Sequence, residues 1–249
     1  MEWYEVLLLL FGGGFAGAVN AVAGGGSMLT VPLLDLAGAE GVDANGSNRV
    51  GILISNVSSL QSYRQEGVAI PGGLVPIVAP ALVGSLIGAF GISRLTDDTF
   101  RTVFGLIMIP LILLTIFKPK VDTDAEPWSM AVTIAVFFGI GLYAGAIQAG
   151  VGLVLLAALS RSGFDLITAN VVKVIFIFFA TTIALPVFII QDNVRWIPAL
   201  LLAVGLSIGG WLGAKFAVRG GEKKIRVVMI VAAVALALNL LGFWDWLFS

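Results

Sequence analysis

The sequence predicts an all-α polytopic membrane protein of about eight transmembrane helices, arranged as two homologous four-span repeats with a broken or partly re-entrant first segment in each. Of its 249 residues, 59% are hydrophobic and 12% are charged, and the mean hydropathy is +1.04. Soluble domains carry about 25% charged residues, so this chain has too few charges to cover a soluble surface. Uncharged apolar runs such as Val68–Ser93 and Val227–Leu241 have the composition of membrane helices.

An internal repeat organises the chain. Asn20 matches Gln148, because both carboxamides follow an aromatic-Ala-Gly-Ala stretch. The other matches keep their order in both halves: Asp43 and Asn48 with Asp165 and Asn170, Ile70-Pro71 with Ile197-Pro198, Gly84 and Gly88 with Gly209 and Gly213, Arg94 with Arg219, and Arg101 with Arg226. We therefore predict a first repeat over residues 1–120, a connecting loop over 121–127 and a second repeat over 128–249.

Each half holds four apolar segments, and the first of them is too long for one straight span. The segments lie at residues 6–38, 48–63, 68–93 and 101–117, then at 129–160, 166–190, 196–218 and 225–247. A straight helix of about 30 residues would reach about 45 Å, beyond a hydrocarbon core of about 30 Å. Gly24–Gly26 and Pro32 offer a break in the first half, and Gly150 and Gly152 offer one in the second.

Two orientations follow, depending on whether each long segment crosses the membrane once or folds back. With eight single crossings the repeats are parallel. The loops on one side of the membrane then hold nine basic residues and the loops on the other side hold four. The more basic loops are expected in the cytoplasm, which places both termini outside. If each first segment is a hairpin, the two halves are inverted. The basic stretch from Lys215 to Arg226 is cytoplasmic in either arrangement.

Composition excludes several functional classes. The chain has no cysteine and no histidine, which removes disulfides, thiol chemistry and the usual zinc and haem ligands. A net charge of −1 without a basic patch argues against a nucleic-acid partner. Without a Walker A sequence or paired carboxylates in the apolar segments, we expect no enzyme activity, no cofactor and no metal site. The N-terminus carries Glu2 and Glu5 instead of basic residues, so we expect no cleaved signal peptide.

The glycines divide into packing candidates and binding candidates. Gly12-x-Gly14-x-x-Gly17 matches the dinucleotide fingerprint, but no strand–helix unit surrounds it, and we reject that interpretation. Pairs spaced four apart predict faces where helices approach closely. These pairs are Gly13 with Gly17, Gly84 with Gly88, Gly141 with Gly145, and Gly209 with Gly213. Gly24-Gly25-Gly26-Ser27 predicts either a simple kink or a helix start, capped by Ser27, whose free amides bind an anion.

Polar side chains recur at helical spacing after the first break. Asn48, Ser55, Ser59 and Ser62 share one helical face. A polar stripe on a membrane helix predicts that this face lines a cavity and does not contact lipid.

Two cations and one carboxylate interrupt the apolar segments. Lys173 stands one turn beyond Asn170 on an otherwise apolar helix, and Arg49 follows Asn48. Each cation is either a buried functional charge or a residue near a helix end that extends to the lipid headgroups. Asp35 either carries a coupled proton or marks where the chain leaves the membrane.

The doubled glycine-rich pattern resembles a known family. Aromatic-Ala-Gly, a carboxamide a few residues on, Gly-Gly-Gly-Ser, Pro32 and a weaker copy in the second half are similar to the sulfite exporter TauE/SafE family over the whole chain. The resemblance implies transport of small sulfur-containing anions, such as sulfite and organosulfonates, across a bacterial inner membrane. The second copy lacks the triple glycine and the proline, so the first half is expected to do most of the binding.

We therefore expect a multi-pass transporter of the cell inner (plasma) membrane that moves a small anion, a sulfur oxyanion or organosulfonate, by alternating access. The predicted substrate-binding residues are Asn20, Gly24, Gly25, Gly26, Ser27, Asn48, Arg49, Gln148, Gly150, Gly152, Asn170 and Lys173. Asp35 is the candidate for proton coupling. The partners are the anion and the lipid bilayer, and a homodimer stays open. The alternatives are a membrane subunit with an assembly role and a passive anion channel.

Overall fold

A computed structural model describes residues 1–23, 25–117 and 128–218, and every regular element within these residues is helical. In chain order the elements are α1 (Trp3–Leu7), a π-helical turn (Leu8–Gly12), α2 (Gly13–Ala23), α3 (Ser27–Leu36), α4 (Gly41–Gln65), α5 (Val75–Ile92), α6 (Asp97–Phe117), α7 (Met130–Ala146), α8 (Val151–Arg161), α9 (Leu166–Ile190) and α10 (Trp196–Val218). The predicted loop at 121–127 and the predicted segment at 225–247 lie outside the described residues.

Four helical stretches in the described part of the chain are long and apolar enough to cross a membrane. They are Trp3–Ala21, Val75–Ile92, Leu166–Ile190 and Trp196–Phe216. Shorter apolar helices cover Ser27–Leu36, Met130–Ala146 and Val151–Arg161. The all-helical, multi-pass class is thereby confirmed, while the count of eight spans stays a prediction.

The predicted start of the second segment is wrong. Helix α4 begins at Gly41, so residues 41–47, which precede the predicted segment at 48–63, lie in its first two turns. Its polar groups are buried and bonded to other parts of the chain: Asn45 Nδ2 donates to the Ala146 carbonyl, and Ser47 Oγ accepts from the Arg195 amide. These tertiary contacts satisfy side chains that the sequence alone placed in a loop.

Both long first segments fold back as helical hairpins. A continuous helix would separate Gly12 from Leu33 by about 30 Å. Instead, a Cβ at Gly12 would lie 2.9 Å from Leu33 Cδ1, so α3 returns along α2. In the second half, the Arg161 guanidinium at the end of α8 lies 5.9 Å from the ring centre of Trp128, which precedes α7. The predicted breaks are therefore present, and each of them reverses the chain.

Close glycine contacts show that α2 packs parallel to α10. A Cβ at Gly13 would lie 3.1 Å from the Leu202 carbonyl oxygen, and a Cβ at Gly17 would lie 2.3 Å from that of Leu206. Only glycine permits the second approach. Moving four residues along α2, from Gly13 to Gly17, moves the contact four residues along α10, from Leu202 to Leu206. The two helices are therefore parallel.

The pair α5 and α7 repeats this arrangement. A Cβ at Gly141 would lie 2.4 Å from the Ala81 carbonyl oxygen, and a Cβ at Gly145 would lie 1.9 Å from that of Ser85. The predicted small-residue faces are therefore packing faces, in both halves. The first hairpin therefore packs against α10 of the second half, and the second hairpin packs against α5 of the first half.

The remaining contacts fix the direction of the central helices. Tyr63 near the end of α4 shares a hydrophobic cluster with Val171 near the start of α9, and Val78 near the start of α5 packs against that cluster. At the other end, a Cβ at Gly46 near the start of α4 would lie 1.8 Å from the carbonyl oxygen of Asn193, just after α9, and Asn193 Nδ2 donates to the carbonyl of Ser93, just after α5. Helix α4 therefore runs antiparallel to both α5 and α9.

The described helices form two sets whose members run in opposite directions. Helix α4 runs parallel to α10, because Gly51 packs on Leu202 and Ser62 Oγ donates to the Trp211 carbonyl. Helices α2, α4 and α10 thus point one way, and α5, α7 and α9 point the other. Taken in order, α2 to α5 correspond to α7 to α10, and each runs opposite to its counterpart. This is the geometry of the hairpin alternative.

Candidate functional site

The tip of the first hairpin is closed by glycine. Helix α2 ends at Ala23 and α3 begins at Ser27, and Gly24 lies outside the described residues. A Cβ at Gly26 would lie 1.9 Å from the Ala16 carbonyl oxygen and 2.7 Å from the Asn20 amide nitrogen. Any side chain at Gly26 would therefore prevent α3 from returning so close to α2.

The tip of the second hairpin is built differently. It covers residues 147–150, so the predicted break at Gly150–Gly152 is displaced, and Gly152 lies in the first turn of α8. Gln148 has φ +63° and Gly150 has φ +67°, both in the left-handed region. A non-glycine residue in that region costs roughly 1–2 kcal/mol, so surrounding contacts must hold Gln148 there. One such contact is the bond from Gln148 Nε2 to Thr181 Oγ1.

The two tips meet at Ser27. Its hydroxyl donates to the Gln148 carbonyl at 3.2 Å and accepts from the Gly150 amide at 3.0 Å. The prediction that Ser27 caps its own helix is wrong: Gly26 occupies the N-cap position of α3, and its cap forms no side-chain hydrogen bond. The serine instead satisfies polar backbone groups of the other hairpin.

Arg49 lies at the carboxyl end of α7. Its Nη1 donates to the Ala144 carbonyl at 3.1 Å, and its Nη2 donates to the carbonyls of Gly145 and Ala146. The guanidinium also lies 4.3 Å from the ring centre of Phe188. The last carbonyls of a helix have no partner within it and carry partial negative charge, which a cation neutralises.

Lys173 bonds in the same way to the carboxyl end of α2. Its Nζ donates to the Asn20 carbonyl and to Asn170 Oδ1, both at 2.7 Å, with a weaker contact of 3.5 Å to the Ala21 carbonyl. Arg49 and Lys173 are both 0% exposed, so neither side chain extends to the exterior. Each cation sits on the core helix of one half and stabilises the hairpin of the other.

Several carboxamides around the tips have unused polar atoms. Asn48 is fully buried, and neither its Nδ2 nor its Oδ1 has a hydrogen-bond partner among the described residues. The same holds within that part of the chain for Asn20 Oδ1, Gln148 Oε1 and the Nε atom of Arg49. Buried polar atoms are normally bonded, so these groups are available to a polar ligand.

The polar stripe on α4 does not line a cavity as predicted. Ser55, Ser59 and Ser62 are buried against α10, where a Cβ at Gly210 would lie 2.8 Å from Ser59 Oγ. Small hydroxyl residues allow close packing between membrane helices, and this is what the stripe does. The part of the prediction that the face avoids lipid is correct.

Asp35 lies away from the tips, near the end of α3. Its Oδ1 accepts from the Gly41 amide at 3.0 Å and pairs with Arg101 Nη2 at 3.2 Å. Arg101 also pairs with Glu40. These contacts join the end of the first hairpin to the starts of α4 and α6.

The structure brings most predicted site residues into one connected network. It runs from Arg49 to the end of α7, through Gln148, Gly150 and Ser27, and on to Gly26, Asn20 and Lys173. Asn170 belongs to it through Lys173, and its Nδ2 is occupied by the Leu166 carbonyl.

Two members of the network were not predicted from the sequence. Asn45, one helical turn before Arg49 on α4, donates to the same Ala146 carbonyl. Thr181 holds the Gln148 side chain from α9. A polar residue in an apolar helix was the available signal for Thr181, but its partner is 33 residues away in sequence.

Charge at the tips is uncompensated in the described part of the chain. Arg49 and Lys173 are the fully buried charged side chains there, and no carboxylate in that part is buried. The ion pairs present, Arg101 with Asp35 and Arg195 with Asp43, involve partly exposed side chains. The tip region is therefore a buried, positively charged, hydrogen-bonding environment, which favours an anion.

Two hairpins that meet tip to tip inside a helical multi-pass protein are typical of secondary transporters built from broken helices. The chain belongs to the Sulfite exporter TauE/SafE family, whose profile matches residues 9–240. The resemblance noted in the sequence is thereby confirmed.

Three relatives carry transporter names. The "Probable membrane transporter protein ORF9" of Sinorhizobium sp is 26% identical over 244 residues, covering 96% of this chain and 94% of its own. The "Probable membrane transporter protein YfcA" of Escherichia coli (strain K12) is 24% identical over 238 residues, covering 94% and 88%. The "Probable membrane transporter protein YunE" of Bacillus subtilis (strain 168) is 26% identical over 269 residues, covering 96% of both. No solved structure matches the chain significantly. The protein is a membrane transporter of this family.

Proposed function

We propose that the protein is a secondary transporter of a small anion, a sulfur oxyanion or organosulfonate, bound where the hairpin tips meet. The observation that carries the proposal is the pair of buried cations without a buried carboxylate among the described residues, beside unpartnered carboxamides. The family description, sulfite exporter, supports the sulfur chemistry.

The side chains divide the work by chemistry. The amide Nδ2 of Asn48 and the Nε of Arg49 donate to the anion, and both are buried and unpartnered in the described structure. Asn20 and Gln148 present a carboxamide at each tip, and either orientation of the amide offers a polar atom to the ligand. The starts of α3 and α8, at Ser27 and Val151, add the positive ends of two helix dipoles, although the Gly150 amide itself is occupied by Ser27 Oγ. Lys173 contributes a positive point charge next to Asn20, and the side chain of Asn170 orients the Lys173 ammonium.

The arrangement of two oppositely directed sets supports alternating access. We infer two homologous four-span repeats, residues 1–120 and 128–249, joined by the loop at 121–127 and inserted as inverted repeats in the cell inner membrane. The fourth helix of the second repeat corresponds to the predicted segment at 225–247. A site between the tips is exposed to one side or the other as one set moves against its counterpart.

The first test is ligand-dependent stabilisation of the purified protein. Sulfite, thiosulfate, sulfate, ethanesulfonate and acetate are compared in a thermal-shift series, since tight binding to the folded state raises its stability. Sulfite or ethanesulfonate should raise the melting temperature, and acetate should raise it less. A protein that responds to none of them does not bind small anions, and the assembly-subunit alternative would then be favoured.

The second test places the site. Asn48→Ala should weaken anion binding at least tenfold, because it removes an unpartnered donor from the site. Asn56→Ala is the matched control: Asn56 lies on the same helix, is equally buried and also has an unpartnered Nδ2, but stands two turns further on. Equal losses in the two variants would contradict the assignment. In proteoliposomes, counterflow of labelled anion distinguishes a carrier from a passive channel, which would show none.

A further inference from the structure

Lys173 is an unusual group in the described part of this chain. Its ammonium is 0% exposed and is bonded to two carbonyls and one amide oxygen, with no carboxylate among its contacts. Its Nζ atom is bonded to the backbone carbonyl of Asn20, whose side chain belongs to the proposed anion site. An ammonium in apolar surroundings without a counter-anion is costly, and a bound anion removes part of that cost.

Few other groups can exchange a proton inside this protein. The chain has no histidine and no cysteine. Arg49, the other fully buried cation of the described residues, does not deprotonate in proteins. Within that part of the chain every carboxylate is at least partly exposed, and Asp35 and Asp43 are paired with arginines.

We propose that Lys173 is the proton-carrying group of the transporter, so that one proton is taken up with each anion and released with it. Resting on the proposed anion site, this inference adds the coupling ion. When the site is empty, the Nζ atom gives its proton to water and is a neutral amine that still donates to the Asn20 carbonyl, and Arg49 keeps the tips positively charged. When an anion enters, Nζ takes a proton from water and the two opposite charges cross the membrane together.

The groups around Lys173 do not compete for this role. Helices α2, α5 and α9 carry no other ionisable side chain. Helix α4 brings Tyr63, whose hydroxyl donates to the Ala21 carbonyl at 3.0 Å, and α7 brings Tyr143, whose hydroxyl donates to the Ala149 carbonyl. Tyrosines titrate near pH 10 in the absence of perturbation, far above the working range. Arg49 on α4 is committed to the other hairpin, and Arg161 at the end of α8 stacks on Trp128.

Calorimetry on the unmodified protein tests the inference. Ethanesulfonate is the probe, because an alkanesulfonate stays a monoanion across the range examined and contributes no proton of its own. Binding heats are measured in two buffers of different ionisation enthalpy from about pH 5.5 to about pH 8.5, where an unperturbed carboxylate does not titrate. We expect proton uptake that rises with pH toward one per sulfonate, and a Kd that weakens by up to about tenfold per pH unit at the alkaline end.

The outcomes separate the two proposals. Binding without proton uptake throughout this range overturns the role of Lys173 and leaves the anion site standing. Absence of binding by any small sulfonate or oxyanion overturns the proposed function, and this inference with it. Acetylation of the α-amino group of Met1, an exposed residue at the start of the chain, should leave proton uptake unchanged.

Two variants then assign the proton to one residue. Lys173→Arg keeps a charge that does not titrate, so ethanesulfonate should bind with a pH-independent Kd and no proton uptake. Asp35→Asn removes the other candidate suggested by the sequence and should retain the uptake seen in the unmodified protein. Loss of uptake in Asp35→Asn with retention in Lys173→Arg would reverse the assignment. If Lys173→Arg does not fold, the Asp35→Asn result and the calorimetry still decide.

Discussion

Ser27 is the residue through which the two hairpins touch. Its hydroxyl both donates to Gln148 and accepts from Gly150, so it satisfies two buried backbone groups of the other half. The left-handed conformation of Gln148 turns that carbonyl toward the serine at an energetic cost. One small side chain thus links two strained or tightly packed turns, and this link sets the geometry of the proposed site.

Removing this hydroxyl should loosen the tips. Ser27→Ala leaves the Gly150 amide buried without its acceptor, which we expect to lower the free energy of unfolding by about 1–3 kcal/mol. Thr30→Val is the matched control, because Thr30 is equally buried on α3 but its hydroxyl bonds only to the Ser27 carbonyl of its own helix. Thermal unfolding in detergent measures both. A larger loss in Thr30→Val than in Ser27→Ala would contradict the bridging role.

At the scale of elements, helix ends and small-residue faces determine the architecture. The broken helices α2 and α7 end inside the protein, where Lys173 and Tyr63 bond to the last carbonyls of α2, and Arg49 and Asn45 bond to those of α7. Their sides contain glycines that let α10 and α5 approach at backbone distance. Each hairpin is therefore fixed to the other half twice, by a cation at its tip and by glycine packing along its length.

Glycine packing on α7 can be tested with two substitutions. A Cβ at Gly145 would lie 1.9 Å from the Ser85 carbonyl oxygen, whereas a Cβ at Gly139 would meet nothing within 4 Å among the described atoms. Gly145→Ala should destabilise the protein by about 1–3 kcal/mol through overpacking. Gly139→Ala should be neutral or stabilising by up to about 1 kcal/mol, because alanine favours the helix. Unfolding of the two variants in parallel is the measurement, and equal effects would contradict it.

The stability that the N-cap of α9 contributes should depend on pH in the acid range. Asp165 Oδ1 accepts from the Ile167 and Thr168 amides, and hydrogen bonds from Thr168, then Ile167, hold the pKa of the Asp165 carboxyl below its ordinary value. The cap's contribution is therefore full above about pH 4 and is lost as the pH falls through the lower pKa of the folded protein.

Two substitutions at this position separate the cap from its charge. Asp165→Ala should lower the free energy of unfolding by about 1 kcal/mol at neutral pH. Asp165→Asn should retain most of the cap and lose its acid dependence. Melting temperatures at about pH 7 and about pH 3 give the comparison, and an acid dependence that persists in Asp165→Asn would assign it to another group.

At the scale of the whole molecule, the two hairpins change the sidedness of the loops. With each hairpin beginning and ending at the same side, the loop after α4 and the loop after α9 lie on opposite sides. Among the described residues, Arg64, Arg161 and Lys215 stand toward the side where α4 ends, and Arg94, Arg101 and Arg195 toward the side where it begins. Six more basic residues follow α6 and α10 in the sequence, namely Lys118, Lys120, Arg219, Lys223, Lys224 and Arg226, and we predict that they join the first side. Basic loops are enriched in the cytoplasm, so we predict that the side where α4 ends is cytoplasmic.

Single cysteines test this orientation without interference, because the chain has none of its own. In intact cells, Gln191→Cys should react with a membrane-impermeant maleimide and Gln65→Cys should not. In the arrangement with eight single crossings, both positions would be outside and both would react. Labelling after permeabilisation is the control that each cysteine is accessible.

The sequence by itself determined the membrane class, the family and the existence of both breaks, and it predicted two four-span repeats. These follow from local chemistry: charge content, apolar length, glycine spacing and the order of features along each half. It also pointed to Asn48, Arg49 and Lys173 as candidate binding residues, because polar groups in apolar helices are few and costly, and their role in binding stays a prediction. It could not say which way the chain leaves each break, since a kink and a reversal need the same glycines.

Only the tertiary structure decided what those residues touch. Arg49 and Lys173 are bonded to helix ends of the opposite half, 95 and 153 residues away in sequence, and no local pattern encodes such partners. Ser27 was predicted to cap its own helix, but its hydroxyl bonds to the Gln148 carbonyl and the Gly150 amide of the second hairpin. The serines of α4 had the spacing of a cavity wall, and the glycines of α10 turned that face into a packing surface, because close contact between helices depends on both surfaces at once.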